Sequence, residues 1–439
     1  MKQTSTPTSA TAPRGSHSSA ARPMTSAPSG GGRMHYAYVI LICCCLMMGV
    51  NVGLSFSCAG IYYTPVSQSL GVPVGEFGIY MSIMYVTSSL MLPLAGKMLE
   101  HYSARMLFAV SSAVMGLDFL AMSLFREVWQ FYIAGGVMGV TLAFLLYLSF
   151  PTMVNRWFHT RVGMMIGICS AASGIGGMLF NPLAGWIITE WGWRWGYATF
   201  GIICLLIVAP LLALLLRDRP ADKGLLPYGM DAAAAPQGDA PRSAPGAREL
   251  PGMEYGRAVR SPLFYGMILF AFLMMGISTL NLFIPGYVGA HGFSIEQASL
   301  TAALVMGGVT VGKLVLGMVN DRNTRLGVAL TTGAGIAGLG VLLAGAGTFP
   351  LILGGAFLFG WAYAGVTVQT AMLTLRVFGQ RDYSRIYSII SIALAAGGAL
   401  ASGGWGLLAD AFGTPVTFLS GIAGLLVCLL IGLAALRRR

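Results

Sequence analysis

Few residues in this chain could do chemistry, and one of them is set apart by its surroundings. Residues 297 to 325 read QASLTAALVMGGVTVGKLVLGMVNDRNTR, an apolar run long enough to cross a bilayer with one cation inside it, Lys313, and a polar cluster of Asp321, Arg322 and Arg325 at its end. A charge at the centre of a membrane helix costs roughly 2.5 to 3.5 kcal/mol on insertion scales, so it persists mainly where it faces protein or a water-filled cavity. Lys313 therefore reads as a site. The competing reading lets its four-carbon stem carry the ammonium back to the membrane surface near Gly317 to Asp321.

Other chemistries find little support. Asp118 is the only acid well inside an apolar run, placed either as a structural, protonated partner or as a proton relay. All five histidines (His17, His35, His101, His159, His291) lie in tails or at run ends, and no two stand at the i, i+4 spacing of a metal-binding helix. The consecutive Cys43, Cys44 and Cys45 would point about 100° apart on a helix and cannot converge on one ion. All seven cysteines lie inside apolar runs, so disulfides are not expected. No enzyme, metal or cofactor is expected.

The elements that must position Lys313 follow from composition. The chain has 439 residues, 56% hydrophobic and 9% charged, against roughly 25% charged in an ordinary soluble domain. A hydrocarbon layer about 30 Å thick needs roughly 20 apolar residues per helix. Runs of that kind cover 36 to 64, 74 to 96, 105 to 125, 129 to 155, 163 to 189 and 195 to 216, then 262 to 290, 297 to 320, 326 to 346, 350 to 377, 384 to 409 and 415 to 436. The expected fold is an all-α membrane protein of twelve transmembrane helices in two six-helix halves, 34 to 216 and 261 to 439. Residues 1 to 33, rich in Ser, Thr, Ala, Pro and Gly and free of acids, form a tail that cannot bury enough apolar surface to fold. A proline-rich linker, 217 to 260, joins the halves.

A formal charge of +11 could suggest nucleic acid, but the positions of the charges argue for a bilayer instead. All 26 lysines and arginines except Arg126, Arg194 and Lys313 fall in the termini, the linker and the loops after runs 2, 4, 8 and 10. Lys and Arg accumulate on the cytoplasmic side, so both termini are expected there, in a plasma or inner membrane.

The halves also repeat a motif. Gly96-Lys-Met-Leu-Glu100-His101-Tyr-Ser-Ala-Arg105 follows the second run, and Gly317-Met-Val-Asn-Asp321-Arg322-Asn-Thr-Arg325 follows the eighth, the second of its half. These stretches resemble the Gly-x-x-x-Asp-Arg-x-Gly-Arg loop motif of the major facilitator superfamily. The second copy departs only at Thr324, and the first carries Glu100, His101 and Ser103 for Asp, Arg and Gly. Within that superfamily, Trp157-Phe158-His159-Thr160-Arg161-Val162-Gly163 and Arg219-Pro220-Ala-Asp222-Lys-Gly224-Leu225-Leu-Pro227 are similar to loop patterns of the monocarboxylate and oxalate/formate branch.

The resemblance implies a carrier that moves a small organic anion such as lactate, pyruvate or formate by alternating access. Lys313 stands where members of the branch carry an arginine that meets the substrate carboxylate. An amine, unlike a guanidinium, can exist without its charge, so anion and proton are expected to bind together at Lys313, with Asp118 the other candidate for proton coupling. Helices 1, 4, 7 and 10 line the cavity in this superfamily, which makes Asn51, Tyr147, Asn281, Tyr363 and Gln369 candidate substrate contacts, although another helix could equally satisfy each polar group. Gly96, Glu100, Arg105, Gly317, Asp321, Arg322 and Arg325 are candidates for a latch between the halves, or for a solvated loop. Oxalate exchangers add a lysine in helix 11, and residues 386 to 409 hold no cation, which favours one carboxylate per substrate. An exchanger coupling to a counter-anion, or a drug or sugar carrier, is the alternative.

Overall fold

The computed structural model describes residues 35–230 and 252–437, apart from residue 346 and the side chains of residues 147, 148 and 384. The expected N-terminal tail and the middle of the linker, with Pro236, Pro241, Pro245 and Pro251, lie outside the described residues.

Among those residues twelve helices are long and apolar enough to cross a membrane: α1 Tyr36–Leu70, α2 Val74–His101, α3 Ala104–Met122, α4 Val128–Trp157, α5 Val162–Trp191, α6 Trp193–Leu215, α7 Pro262–Leu282, α8 Ile295–Arg322, α9 Thr324–Ala344, α10 Phe349–Phe378, α11 Arg385–Phe412 and α12 Thr414–Arg437. Their ends obey local chemistry. The Ser294 hydroxyl and the Gln297 side chain cap the start of α8 reciprocally, and Asn323 Oδ1 accepts from the Arg325 and Leu326 amides to start α9. Gly192 (φ 86°) separates α5 from α6, and Gly413 (φ 84°) separates α11 from α12, the corresponding turn of the other half. The expected seventh run, 262 to 290, is broken by a 3-10 turn at Thr279–Leu282 and resumes as Ile284–Ala290, with Pro285 in its first turn where a missing N–H costs nothing.

Without a hydrophobic force to join helices in lipid, close packing of small residues does that work. The two backbones of α1 and α5 nearly touch: a Cβ at Gly176 would collide with the carbonyl of Gly49. Gly308 of α8 and Gly360 of α10 approach in the same way. In α1 this happens over a widened, π-helical stretch, Met47–Ser57, and α4 and α6 contain shorter ones at Ala143–Leu148 and Ile203–Val208.

The halves meet along two seams, α5 with α8 and α2 with α11. Gly177 packs on Met306, Gly185 on Ser299, and Ser82 Oγ lies 2.9 Å from Ser402 Oγ. Toward the face that carries the termini the contacts stop: added Cβ atoms at Gly163 and Gly167 of α5, Gly96 of α2 and Gly317 of α8 would meet nothing within 4 Å. The halves therefore close on each other away from the termini and part toward them.

The two loop stretches similar to the monocarboxylate branch turn out to be one unit. Trp157 Nε1 donates to the Arg217 carbonyl (3.0 Å), the Tyr228 amide donates to the Trp157 carbonyl (2.8 Å), and the His159 amide donates to the Tyr228 carbonyl (2.9 Å). Gly224, at φ 65°, closes the 3-10 turn Pro220–Lys223 between them. At the other end of the linker, Met253 donates to the Phe378 carbonyl (2.7 Å), the Tyr255 amide donates to Asp382 Oδ2 (2.7 Å), and Arg385 stacks over the Tyr255 ring. Each end of the linker is thus fastened to the equivalent turn of its own half.

A Gly176→Leu variant is expected to lose about 1–3 kcal/mol or more by overpacking against Gly49, whereas Gly163→Ala leaves stability unchanged. Thermal unfolding of the detergent-solubilised variants checks this, and equal behaviour of the two contradicts the packing described.

Candidate functional site

Lys313 projects from α8 across the seam into the other half. Its Nζ donates to the Ser170 carbonyl (3.1 Å) and to Ser173 Oγ (3.5 Å), both on α5. The Ser173 hydroxyl in turn donates to the Ser170 carbonyl (2.9 Å), which leaves its lone pairs for the ammonium. The small residues of α5 make this reach possible, because Gly174 lets Thr310 of α8 come close one turn away. Lys313 is half-buried and occupies the boundary between the packed part of the seam and its open part. Both its partners among the described residues are neutral, so these residues solvate the charge and do not cancel it.

A second feature lies under the closed part of the seam. Phe56 of α1, Met81 and Tyr85 of α2, Ser278, Thr279, Asn281 and Leu282 of α7, and Tyr363 of α10 line one cavity. Its free volume for the centre of a water, ≈ 10 Å³, is about what one water molecule needs. The Ser278 and Thr279 hydroxyls are spent on the Met275 and Gly276 carbonyls of their own helix (both 2.7 Å). Asn281 is 3% exposed and its Oδ1 has no partner among the described residues. Leaving such an acceptor unmatched costs about 1–3 kcal/mol, so it is a place for a donor.

The structure thus brings Asn281 and Tyr363 together and sets Lys313 on the seam beside α5. Two other candidates bond within their own half, and each keeps an amide nitrogen without a partner among the described residues. Asn51, with no exposed surface, accepts at Oδ1 from the Ser112 hydroxyl of α3 (3.1 Å). Gln369, equally buried, accepts at Oε1 from Asn320 Nδ2 of α8 (2.9 Å). Each joins two helices of its own half, because an amide in hydrocarbon needs a partner and a neighbouring helix offers a permanent one. The side chain of Tyr147 lies outside the described residues. Asp118 is 8% exposed on α3, with Oδ2 unpartnered among the described residues.

The expected latch residues work inside their own halves in this conformation. The Arg105 guanidinium donates to the Ala213 carbonyl, and its amide donates to Asp218 Oδ1 (2.8 Å). Arg325 donates to the Leu436 carbonyl (3.1 Å), and Arg376 donates to the Asp321 carbonyl (3.4 Å). Glu100, Asp321 and Arg322 are exposed, on the face where the halves part.

Sequence reasoning missed Ser170 and Ser173. A serine in a membrane helix commonly bonds its own preceding turn, as both Ser173 and Thr310 do here, so nothing in the string marks the two that also face a lysine. Asn320 was missed for a similar reason, lying beside the charged motif that drew attention to Asp321.

The sequence profile of the Major Facilitator Superfamily matches residues 45–342 and 267–439. The uncharacterized transporter ESBP6 of Saccharomyces cerevisiae is 23% identical over 283 residues, 63% of this chain and 39% of that protein. Monocarboxylate transporter 4 of Rattus norvegicus is 28% identical over 181 residues, 38% of this chain and 36% of its own. The matched region is thus well under two thirds of either relative's length. A bacterial homologue of the human lysosomal transporter Spinster, solved in an inward-facing, occupied conformation, has the same fold, with a TM-score of 0.71 at 13% identity over 92% of this chain and 98% of that one. A profile that runs through both halves, on twelve helices arranged as a repeated six, makes this chain a member of the Major Facilitator Superfamily.

Proposed function

We propose that this carrier moves a small monocarboxylate, of the size of lactate, pyruvate or formate, across a cell membrane by alternating access, with a proton as its companion and both termini in the cytoplasm. One observation carries the reading: among the described residues, the ammonium on the seam between the halves has only neutral partners. An ammonium has three donors, and a carboxylate would supply both a further acceptor and the missing charge. The partial similarity to a rat monocarboxylate transporter supports the same class. So does the lack of any cation between residues 386 and 409, which leaves a second carboxylate without a partner.

In the conformation described, the anion reaches Lys313 from the face of the termini, where the halves stand apart. It competes with the Ser170 carbonyl for the ammonium and so acts on a contact between halves. A ligand shifts such an equilibrium only by its unequal affinity for the two states. Asn281 and Tyr363 contact the solute from the far side, while Asn51 and Gln369 keep the helices around it in place. When the termini face closes, Gly96, Glu100, Arg105, Gly317, Asp321, Arg322 and Arg325 come together as its latch. A proton is carried at Lys313, with Asp118 the secondary candidate.

Monocarboxylates are expected to raise the unfolding temperature of the purified protein, by the equivalent of about 2.7 kcal/mol at a hundredfold excess over Kd, and to lose that effect in Lys313→Gln. A response to sugars or cationic drugs alone, or an undiminished response in the variant, contradicts the anion reading. Lys313→Arg should keep anion binding but lose the stimulation of uptake by an inward proton gradient, since arginine does not release its proton; uptake that stays equally coupled assigns the proton elsewhere. Asn281→Leu is expected to raise KM about tenfold, roughly 1.4 kcal/mol of binding, with Tm little changed. Asn51→Leu should do the reverse, lowering Tm and sparing KM.

A further inference from the structure

Polar contacts at the face away from the termini have no part in the reading above. Asp410, near the end of α11, places Oδ2 2.8 Å from the backbone N–H of Gly75, which donates to it. Gly75 is the second residue of α2, in the first turn, where amides have no partner in their own helix and the positive end of the helix dipole gathers. A carboxylate of one half therefore caps a helix of the other. The fit is close: a Cβ on Gly75 would stand 2.6 Å from Asp410 Oδ2 and 2.7 Å from the carbonyl carbon of Gly406, and a Cβ on Gly406 would run into the Cα of Gly75.

The neighbouring contacts belong to the same closure. Ser82 Oγ accepts from the Gly403 amide (3.1 Å) two turns deeper. A Cβ on Gly60 of α1 would lie 2.8 Å from the Leu282 carbonyl of α7, and the Tyr63 and Phe283 rings meet edge to face at 5.5 Å across the halves. Asp410 brings a formal charge to the α2–α11 seam, and on the other seam the Glu296 carboxylate of α8 meets the Thr189 hydroxyl of α5. Because the halves already part at the opposite face, exchange of access requires these contacts to break together.

We propose that Asp410 is the gate residue of the face remote from the termini: its carboxylate, seated on the N-terminus of α2, holds that face shut and must leave α2 in every transport cycle. The proposal concerns the conformational cycle and holds whichever solute is carried. Charge at a helix N-terminus biases an equilibrium by a factor of about 2 to 5 when exposed and more when partly buried. Removing it moves the carrier toward the state open at that face.

The test uses the full chain in vesicles with a reporter, Phe283→Cys, which replaces a ring 5% exposed beneath the gate. A membrane-impermeant maleimide is applied to the face opposite the termini, and the parent without the reporter gives the background from native cysteines. Asp410→Asn keeps an acceptor but not the charge and is expected to raise the labelling rate about threefold. Asp410→Ala removes both and should raise it further, and Gly75→Ala, which displaces the carboxylate by bulk, should act in the same direction. Glu76→Gln, which removes a charge from the same first turn without touching the Asp410 contact, should leave the rate unchanged. Unaltered labelling in Asp410→Asn and Gly75→Ala overturns the proposal, as does an equal rise in Glu76→Gln. Should Asp410→Ala not fold, the near-isosteric Asp410→Asn and Gly75→Ala decide the matter between them, with size-exclusion profiles as the control.

Discussion

A polar group surrounded by hydrocarbon must find a partner within the protein, and this constraint organises the interior of the molecule. Most buried polar side chains meet it locally and permanently. Ser112 reaches Asn51, Asn320 reaches Gln369, and Asn181 Nδ2 reaches the Ser57 and Gly177 carbonyls. Such bonds join helices within a half and stay made when the halves move. Among the described residues some buried groups keep no partner, within the halves at Asp118 Oδ2, Asn181 Oδ1 and Asn51 Nδ2, and at Asn281 Oδ1 in the cavity lined from both halves. Of these, the Oδ1 of Asn281 lies where motion and a solute could complete it, as does the ammonium of Lys313 with its neutral partners on the seam.

The same economy governs the seams. Small residues give close, featureless surfaces along which backbones can approach and separate, while a few polar contacts, Ser82 with Ser402, Asp410 with Gly75 and Lys313 with Ser170, fix which end is shut. Helix pairs inside a half approach through glycine just as closely, as at Gly49 and Gly176.

Much of the fold was legible because length in an apolar run translates directly into a membrane crossing. The twelve runs correspond to the twelve helices, with ends displaced by a few residues where caps decide, as at Leu70 for the first run and Arg322 for the eighth. Depth was legible too, since position along a run gives it. Azimuth was not. In water an amphipathic stripe tells which face of a helix is buried, but in a bilayer lipid and protein interior are equally apolar, and the stripe vanishes. That is why the sequence does not show that Asn51 and Gln369 bond within their own halves, while Asn281 and Tyr363 line a shared cavity. Asp410 shows the same gap: the sequence places it just past the end of an apolar run, and not beside its neighbour 335 residues away.

Lys313 sits where the packed part of the seam gives way to its open part, and on the proposed reading the halves turn about that boundary. A point near a hinge is displaced least. On the proposed reading the bound charge therefore stays nearly still while water-filled access moves from one side of it to the other. Moving an elementary charge through the full field of a membrane takes about 2.3 kcal/mol per 100 mV, and a charge that hardly moves does little of that work. The reorientation of the loaded carrier is accordingly a step of low voltage sensitivity, and any dependence of flux on membrane potential falls on the entry and exit of ions along the open vestibules.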